Sequence, residues 1–137
     1  MDATFRPGLT SDVDAVLDLW ARSGAEPTHT DDREGLAALV AHDAEALIVA
    51  ELGGSLVGSV IAAWDGWRGS IYRLVVDPSH RRRGLAGQLL QRGETRLSRA
   101  GARRLQAVVV ESEPVATGFW DATGWELQRE RLRFVSG

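Results

Sequence analysis

The stretch from Ile71 to Ala102 constrains the fold more than any other part of the sequence. An apolar, β-branched run from Ile71 to Val76 ends at Asp77-Pro78, and proline lacks the N–H that a central strand requires, so the run predicts a buried strand. After Gly84-Leu85-Ala86-Gly87, apolar residues recur at helical spacing. A second β-branched run from Leu105 to Val110 completes a strand–helix–strand unit whose strands should be parallel.

The loop before this helix is suited to binding a phosphate group. Helix N-termini present free N–H groups, and glycine lets an anion approach the backbone without a Cβ in the way. Three consecutive arginines, Arg81 to Arg83, add positive charge at the same place. The loop matches neither GxxxxGK nor GxGxxG, and the chain contains no Lys, so the two common nucleotide-binding patterns are excluded.

Composition limits the protein class. A chain of 137 residues fits one domain, 1–137, with one packed core. The absence of Cys excludes disulfides, thiolate metal sites and a cysteine nucleophile, and suits a reducing compartment. No hydrophobic signal region or membrane-length apolar run occurs, so a cytoplasmic protein is expected.

The remaining patterns predict alternating helices and strands around this unit. Residues 25–32 are polar and turn-like, and they either cover a substrate pocket or form a surface connection. The predicted elements are a strand at Thr4–Pro7, a helix capped by Ser11, a helix at Asp32–His42, strands at Ala46–Leu52 and Leu56–Trp64 joined by a Gly53-Gly54 turn, a short helix between Pro114 and Gly124, and one or two final strands in Glu126–Val135.

The motif Arg81-x-x-Gly84-x-Ala86, after a strand ending in Val-Asp-Pro, resembles the acyl-CoA pyrophosphate loop of the GNAT N-acetyltransferase superfamily. The segments VAEL-G-G near residue 50 and aromatic-Asp-Gly-x-Arg-Gly at 64–69 are similar to small single-domain bacterial members of the YpeA type. The resemblance implies an α/β (α+β) GNAT fold. This fold has a mixed, mostly antiparallel sheet of six to seven strands, one parallel strand–helix–strand crossover and about four helices.

The resemblance also implies acetyl-CoA as co-substrate and assigns residues to it. Backbone groups of one strand would contact the pantetheine arm, and the following turn would hold the pyrophosphate. The family's usual Asn and Tyr are replaced by Glu113 and Trp120, and an indole cannot serve as an acid near neutral pH. The residues assigned to the co-substrate are Leu74, Val75, Val76, Arg81, Arg82, Arg83, Gly84, Leu85, Ala86, Gly87, Glu113 and Trp120.

The expected reaction is direct attack of a primary amine of a small molecule or peptide on the acetyl thioester. Glu111 is the first candidate for the general base and Tyr72 the second, and the backbone N–H of Val76 would face the developing oxyanion. Each side chain has a structural alternative, as a surface carboxylate or a half-buried Tyr. The candidates for the acceptor pocket, which are equally candidates for the core or a surface loop, are Trp20, His29, Trp64, Asp65 and Trp67.

The charge distribution fits this ligand better than a nucleic acid. Residues 68–104 carry a net charge of +8 and the remainder −11, while the pI of about 5.6 is too low for a typical RNA-binding domain. The basic segment is either a solvated helix face or a site for the CoA phosphates, and the acidic remainder favours a cationic amine acceptor. We expect no nucleic-acid, membrane or metal binding, and a monomer or homodimer. The loss of the usual Tyr leaves open an alternative function, a non-catalytic acyl-CoA-binding module.

Overall fold

The computed structural model describes residues 2–25, 27–109 and 114–137. The chain divides into two compact units, Met1–Ala107 and Val108–Gly137. Among the described residues, the first unit contains five strands, three α-helices and two short 3-10 turns, and the second contains one α-helix. In chain order they are β1 (Thr4–Pro7), a 3-10 turn (Thr10–Asp12), α1 (Val13–Arg22), α2 (Arg33–His42), β2 (Leu47–Leu52), β3 (Ser55–Trp64), β4 (Gly69–Val76), a 3-10 turn (Pro78–His80), α3 (Leu85–Ala100), β5 (Leu105–Ala107) and α4 (Pro114–Asp121).

The five strands form one sheet in the order β1-β2-β3-β4-β5. The first three pairings are antiparallel, and the last pairing, between β4 and β5, is parallel. This arrangement confirms the predicted mixed α/β fold and the parallel crossover through α3. The Gly53-Gly54 turn between β2 and β3 is also confirmed, because both glycines have positive φ, as a tight hairpin turn requires.

Helices cover both faces of this sheet. Ser59 of β3 faces α1, because its hydroxyl accepts a hydrogen bond from Trp20. The preceding residue, Gly58, faces α3, where a Cβ would lie 2.8 Å from Leu89 Cδ1. The sheet is therefore the middle layer of three, and glycine at position 58 lets α3 approach it closely.

The helix predicted at Asp32–His42 is confirmed to within one residue as α2, and the helix predicted from the apolar spacing after Gly84 is confirmed as α3. Asp32 caps α2 by accepting a hydrogen bond from Gly35 N at 2.7 Å, and Gly101 ends α3 with φ +112°. The predicted cap at Ser11 is wrong. That residue lies inside a 3-10 turn, and Asp12 instead accepts the hydrogen bond from Leu9 N at 2.7 Å because its carboxylate is also held by an arginine of β1.

The C-terminal strands predicted in Glu126–Val135 do not form, so the described sheet has five strands rather than six or seven. Arginines alternate with apolar residues there, but alternation stabilises a strand only when one face becomes buried. Leu132 is 80% exposed and Phe134 is 90% exposed, so no such burial occurs. The strand predicted at Leu105–Val110 is also shorter, ending at Ala107.

The second unit is built around an aromatic cluster. Trp120 of α4 makes edge contacts with Phe119 at 5.5 Å and with Trp125 at 4.8 Å between ring centroids. Thr123 donates a hydrogen bond to the carbonyl oxygen of Trp120 at 2.7 Å, and Gly124 adopts φ +84°. The predicted short helix ending before Gly124 is confirmed.

Across the described residues, no helix has both the length and the apolar character needed to cross a membrane.

Candidate functional site

The N-terminus of α3 is open to an incoming anion. Gly84 stands at the N-cap position with φ +76°, and no side chain caps the helix. A Cβ at Gly84 would come no closer than 4.0 Å to another atom, and one at Gly87 would meet nothing within 4 Å. The N–H groups of the first turn therefore face free space at the positive end of the helix dipole.

Arginines surround this helix end. Arg81, Arg82 and Arg83 are all exposed, and Arg82 adopts a left-handed conformation with φ +64°. Two left-handed positions, at Arg82 and Gly84 with one residue between them, help turn the chain from β4 into α3. Successive turns of this kind aim backbone N–H groups at one point, as anion-binding loops do.

Two interactions anchor the loop to the end of α1. Asp77 accepts hydrogen bonds from Ser79 N at 2.9 Å and Ser79 Oγ at 2.7 Å, and from Arg22 Nε at 2.9 Å. These hydrogen bonds hold the pKa of Asp77 well below its usual range, and the hydrogen bond from the Ser79 hydroxyl lowers this pKa most. Arg81 Nη2 donates to Ser23 O at 3.4 Å. The loop is thus held in place before any ligand arrives.

The open edge of β4 begins where its pairing with β5 ends. The parallel ladder runs only from Gly69–Leu105 to Ile71–Ala107, and no described strand pairs with that side of β4 between Tyr72 and Val76. Asp77 N donates to Val57 O of β3 at 2.8 Å, so the N–H of Val76 points the opposite way, toward this open side.

A bulge in β4 separates its paired half from its open half. Ile61 of β3 lies opposite Tyr72, whereas Ser59 lies opposite Val75, so β4 contains one extra residue between these pairs. Arg73 takes up the extra length in a left-handed conformation with φ +50°. A bulge increases local twist, which accounts for β4 losing its partner on the β5 side.

The geometry agrees with a family comparison. A model described as "Acetyltransferase (GNAT) family" matches residues 13–125, which is most of the chain. The chain belongs to the acetyltransferase (GNAT) family. The bulged β4, the α3 loop and the parallel crossover all lie within the matched range.

Solved structures of other proteins share the GNAT fold. PaiA N-acetyltransferase from Thermoplasma acidophilum in complex with coenzyme A has a TM-score of 0.80 at 14% identity, over 93% of this chain and 92% of that one. Ard1 from Thermoplasma volcanium has a TM-score of 0.83 at 19% identity, over 93% and 85%. Aminoglycoside N-acetyltransferase AAC(6')-Iy in complex with CoA has a TM-score of 0.73 at 18% identity, over 98% and 94%.

The residues predicted to contact the co-substrate within the first unit all lie in the segment 74–87. Within this segment they are Leu74 to Val76 at the open end of β4, and Arg81 to Gly87 in the loop before α3 and its first turn. Their assignment to co-substrate binding remains a prediction for the GNAT chain. Arg81 differs from its two neighbours, since its guanidinium donates a hydrogen bond to the carbonyl oxygen of Ser23, the residue that follows α1.

The aromatic β3–β4 hairpin lies away from that segment. It occupies the opposite end of β4, about 23 Å from Val76 at 3.3 Å per residue. Asp65 accepts hydrogen bonds from Arg68 N at 2.7 Å and Trp67 N at 2.8 Å, and these lower its pKa. The structure therefore does not bring Trp64, Asp65 and Trp67 together with the α3 loop, because the length of β4 separates them.

The other predicted site residues are distributed differently. Trp20 is 5% exposed and its indole is committed to Ser59, so it lies in the core rather than lining a pocket. His29 is exposed in the α1–α2 loop, and Tyr72 of β4 is 48% exposed. Trp120 belongs to the second unit. Glu111 and Glu113 lie outside the described residues.

A groove of about 700 Å³ between β1 and α3 is a separate feature. It contains no residue of the 81–87 loop. Arginines line it, but Arg6 is paired with Asp12 at 2.7 Å and Arg96 is paired with Asp43. These carboxylates offset much of the positive charge, and we do not assign the groove to the co-substrate.

In the described part of the chain, no cluster of three or more His, Asp or Glu could hold a metal ion.

Sequence reasoning missed the residues that hold the bulge. Ser59 donates a hydrogen bond to the carbonyl oxygen of Arg73 at 2.9 Å, and the Arg73 guanidinium forms an ion pair with Asp31 of the α1–α2 loop. A lone serine inside the apolar run Leu56–Ala63 was the available signal. A polar side chain at a central strand position is expected to have a specific hydrogen-bonding partner.

Proposed function

We propose that the protein is an acetyl-CoA-dependent N-acetyltransferase that moves an acetyl group to a primary amine of a small molecule or peptide. The observation that carries this proposal is a pair of backbone surfaces joined by residues 77–84. One is the N-terminus of α3, which no side chain caps, and the other is the side of β4 from Leu74 to Val76, with which no described strand pairs.

The residues present fit coenzyme A. The first turn of α3 would hold the pyrophosphate, since neither Gly84 nor Gly87 places a side chain over the N–H groups. Arg82 and Arg83 would add charge at the same position. The amide groups of coenzyme A's pantetheine arm could pair with the open side of β4 as a further strand would. Two of the family structures named above were solved with coenzyme A, which supports this fit.

When bound, acetyl-CoA supplies a thioester carbonyl carbon for the amine to attack and a thiolate leaving group. The N–H of Val76 would donate a hydrogen bond to the thioester oxygen as negative charge develops there. Holding donor and acceptor together in the correct orientation can contribute roughly 7 to 11 kcal/mol at the well-oriented limit. A covalent acyl-cysteine route is excluded, because the chain contains no Cys.

A general base must remove a proton from the ammonium form of the acceptor. Glu111 is our first candidate and Tyr72 the second. Trp120 cannot protonate the departing thiolate, because an indole N–H is not an acid near neutral pH. This loss is tolerable, since a thiol with a pKa of about 8.5 leaves readily as thiolate.

The substitution at Trp120 also motivates the alternative, a module that binds acyl-CoA without transferring the acyl group. Release of free CoA, measured with acetyl-CoA over a panel of polyamines, amino acids, aminoglycosides and N-terminal peptides, separates the two functions. We expect release that depends on at least one acceptor. Tight acetyl-CoA binding with no release for any acceptor would favour the module, and absence of acetyl-CoA binding would contradict both.

A further inference from the structure

A buried chain of two hydrogen bonds runs from α1 through β3 to β4. Trp20 Nε1 donates to Ser59 Oγ at 2.8 Å, and Ser59 Oγ donates to the carbonyl oxygen of Arg73 at 2.9 Å. Ser59 has no exposed surface and Trp20 is 5% exposed. Because water cannot substitute for a lost partner at such a site, each of these bonds strongly favours one arrangement of the backbone.

The residue at the end of this chain is the strained one. Arg73 is held at φ +50°, a left-handed conformation that is unfavourable for any residue with a Cβ. Without a restraint, the backbone around Arg73 would return to an extended conformation. The extra residue of β4 would then no longer fit between Tyr72 and Val75. The hydrogen bond from Ser59 fixes the peptide carbonyl immediately after this φ angle.

The side chain of Arg73 is fixed independently of its carbonyl group. The guanidinium pairs with Asp31, with one hydrogen bond of 3.2 Å between Nε and Oδ1, and lies 5.3 Å from the ring centre of Trp20. Both the guanidinium and the carboxylate are largely shielded from solvent, with exposed side-chain fractions of 19% and 15%. The bulge is therefore held by its main chain from α1 and by its side chain from the α1–α2 loop.

The position of the bulge determines what Val76 can do. A one-residue change of register in a strand sends every following side chain and N–H group to the opposite side. Without the extra residue between Tyr72 and Val75, the N–H of Val76 would point at β3 rather than at the open side of β4.

We propose that Ser59, supported by Trp20, is a positioning residue for acetyl transfer: it holds Arg73 in the bulge and so aims the Val76 N–H at the thioester oxygen. This inference rests on the proposed function and adds to it the side chains that orient the backbone donor. It concerns the acetyl group alone, since the pyrophosphate would be bound several residues farther along, at α3.

The test compares the affinities of acetyl-CoA and of coenzyme A, measured by calorimetry, for four proteins: wild type, S59A, R73G and the S59A/R73G double variant. We expect S59A to leave the Kd for coenzyme A within about twofold and to raise the Kd for acetyl-CoA about fivefold, the effect of one neutral hydrogen bond. R73G also removes the ion pair with Asp31, so it serves as a second background and not as an unchanged control. Because glycine adopts positive φ without strain, adding S59A to R73G should raise the Kd for acetyl-CoA by less than about twofold.

Amide hydrogen exchange gives a readout that needs no ligand. In S59A we expect faster exchange than in wild type at the β4 amides around the bulge, and a smaller increase when S59A is added to R73G. With an active acceptor, kcat should fall about tenfold in S59A while the KM for acetyl-CoA changes less, since the donor acts mainly on the developing charge.

Three results would overturn the inference: S59A behaving like wild type, equal loss of affinity for both ligands, or an effect of S59A that is as large in R73G as in wild type. If S59A does not fold, R73V replaces it, because a β-branched residue disfavours the left-handed conformation more than arginine does, and the same selective loss is expected. Failure of wild type to bind either ligand would instead contradict the proposed function itself.

Discussion

Replacing Gly87 by aspartate tests the pyrophosphate cradle most directly. Gly87 is the third residue of α3, and a Cβ built there meets no atom within 4 Å. The new carboxylate would enter the space assigned to the diphosphate. At about 5 Å and the dielectric constant of water, each pair of unit charges repels by about 0.8 kcal/mol. Two diphosphate charges give about 1.6 kcal/mol, roughly a 15-fold rise in the Kd for coenzyme A.

The same substitution should not destabilise the protein. Glycine is among the poorest helix formers, and a carboxylate in the first turn interacts favourably with the helix dipole. We therefore expect the Tm of G87D to equal or exceed that of wild type, while calorimetry shows the weaker binding at 0.15 M salt.

Two control variants separate charge and position from the simple loss of glycine. G87A adds a Cβ without charge, and T95D adds the same charge to an exposed position on α3 about 12 Å away at 1.5 Å per residue. Both should keep coenzyme A affinity within about threefold, since a charge 12 Å away is largely screened at this salt concentration. A G87D protein that is folded and binds coenzyme A as tightly as wild type would refute the placement of the diphosphate.

Three further perturbations probe other parts of the molecule. E111Q should slow acetyl transfer at neutral pH by about 100-fold or more while leaving coenzyme A affinity unchanged, and an unaltered rate and pH profile would transfer the role of base to Tyr72. The pKa of Asp77 is lower in the folded protein than in the unfolded chain, so its stabilisation is present above about pH 4 and is lost as the pH falls. D77N should therefore flatten the decline in unfolding free energy between about pH 5 and pH 2 in denaturant titrations, and an unchanged slope would count against this assignment. G58A should lower the free energy of unfolding by about 1 to 3 kcal/mol, because the added methyl would lie 2.8 Å from Leu89 Cδ1 and 3.3 Å from the Val75 carbonyl oxygen.

The parallel crossover could be predicted from the sequence because its signals are local. The β-branched run predicts a strand, and the proline that follows predicts where this strand ends. The glycine loop and the apolar residues at helical spacing predict the next helix, and together these segments predict a strand–helix–strand unit. The structure places β4, α3 and β5 accordingly. The positive charge at Arg81–Arg83 could also be predicted, because these three arginines are consecutive in the sequence.

The bulge could not be predicted, because it depends on contacts between distant parts of the chain. The sequence around Arg73 gives no local reason for a positive φ, and the hydrogen bond that holds this residue comes from a residue 14 positions earlier.

The periodicity of apolar residues also cannot reveal which end of a strand faces a site. The sequence therefore offers Trp64, Asp65 and Trp67 as candidates for the acceptor pocket, whereas the length of β4 separates them from the α3 loop.

The outer edge of β1 bears on how this protein avoids aggregation. β1 is a terminal strand of the described sheet, so one row of its backbone groups has no strand partner among the described residues. It is only four residues long, ends at Pro7 and carries the charged Arg6. Short length, proline and charge each discourage intermolecular strand pairing, so the exposed margin of the sheet resists fibril-like association of folded molecules.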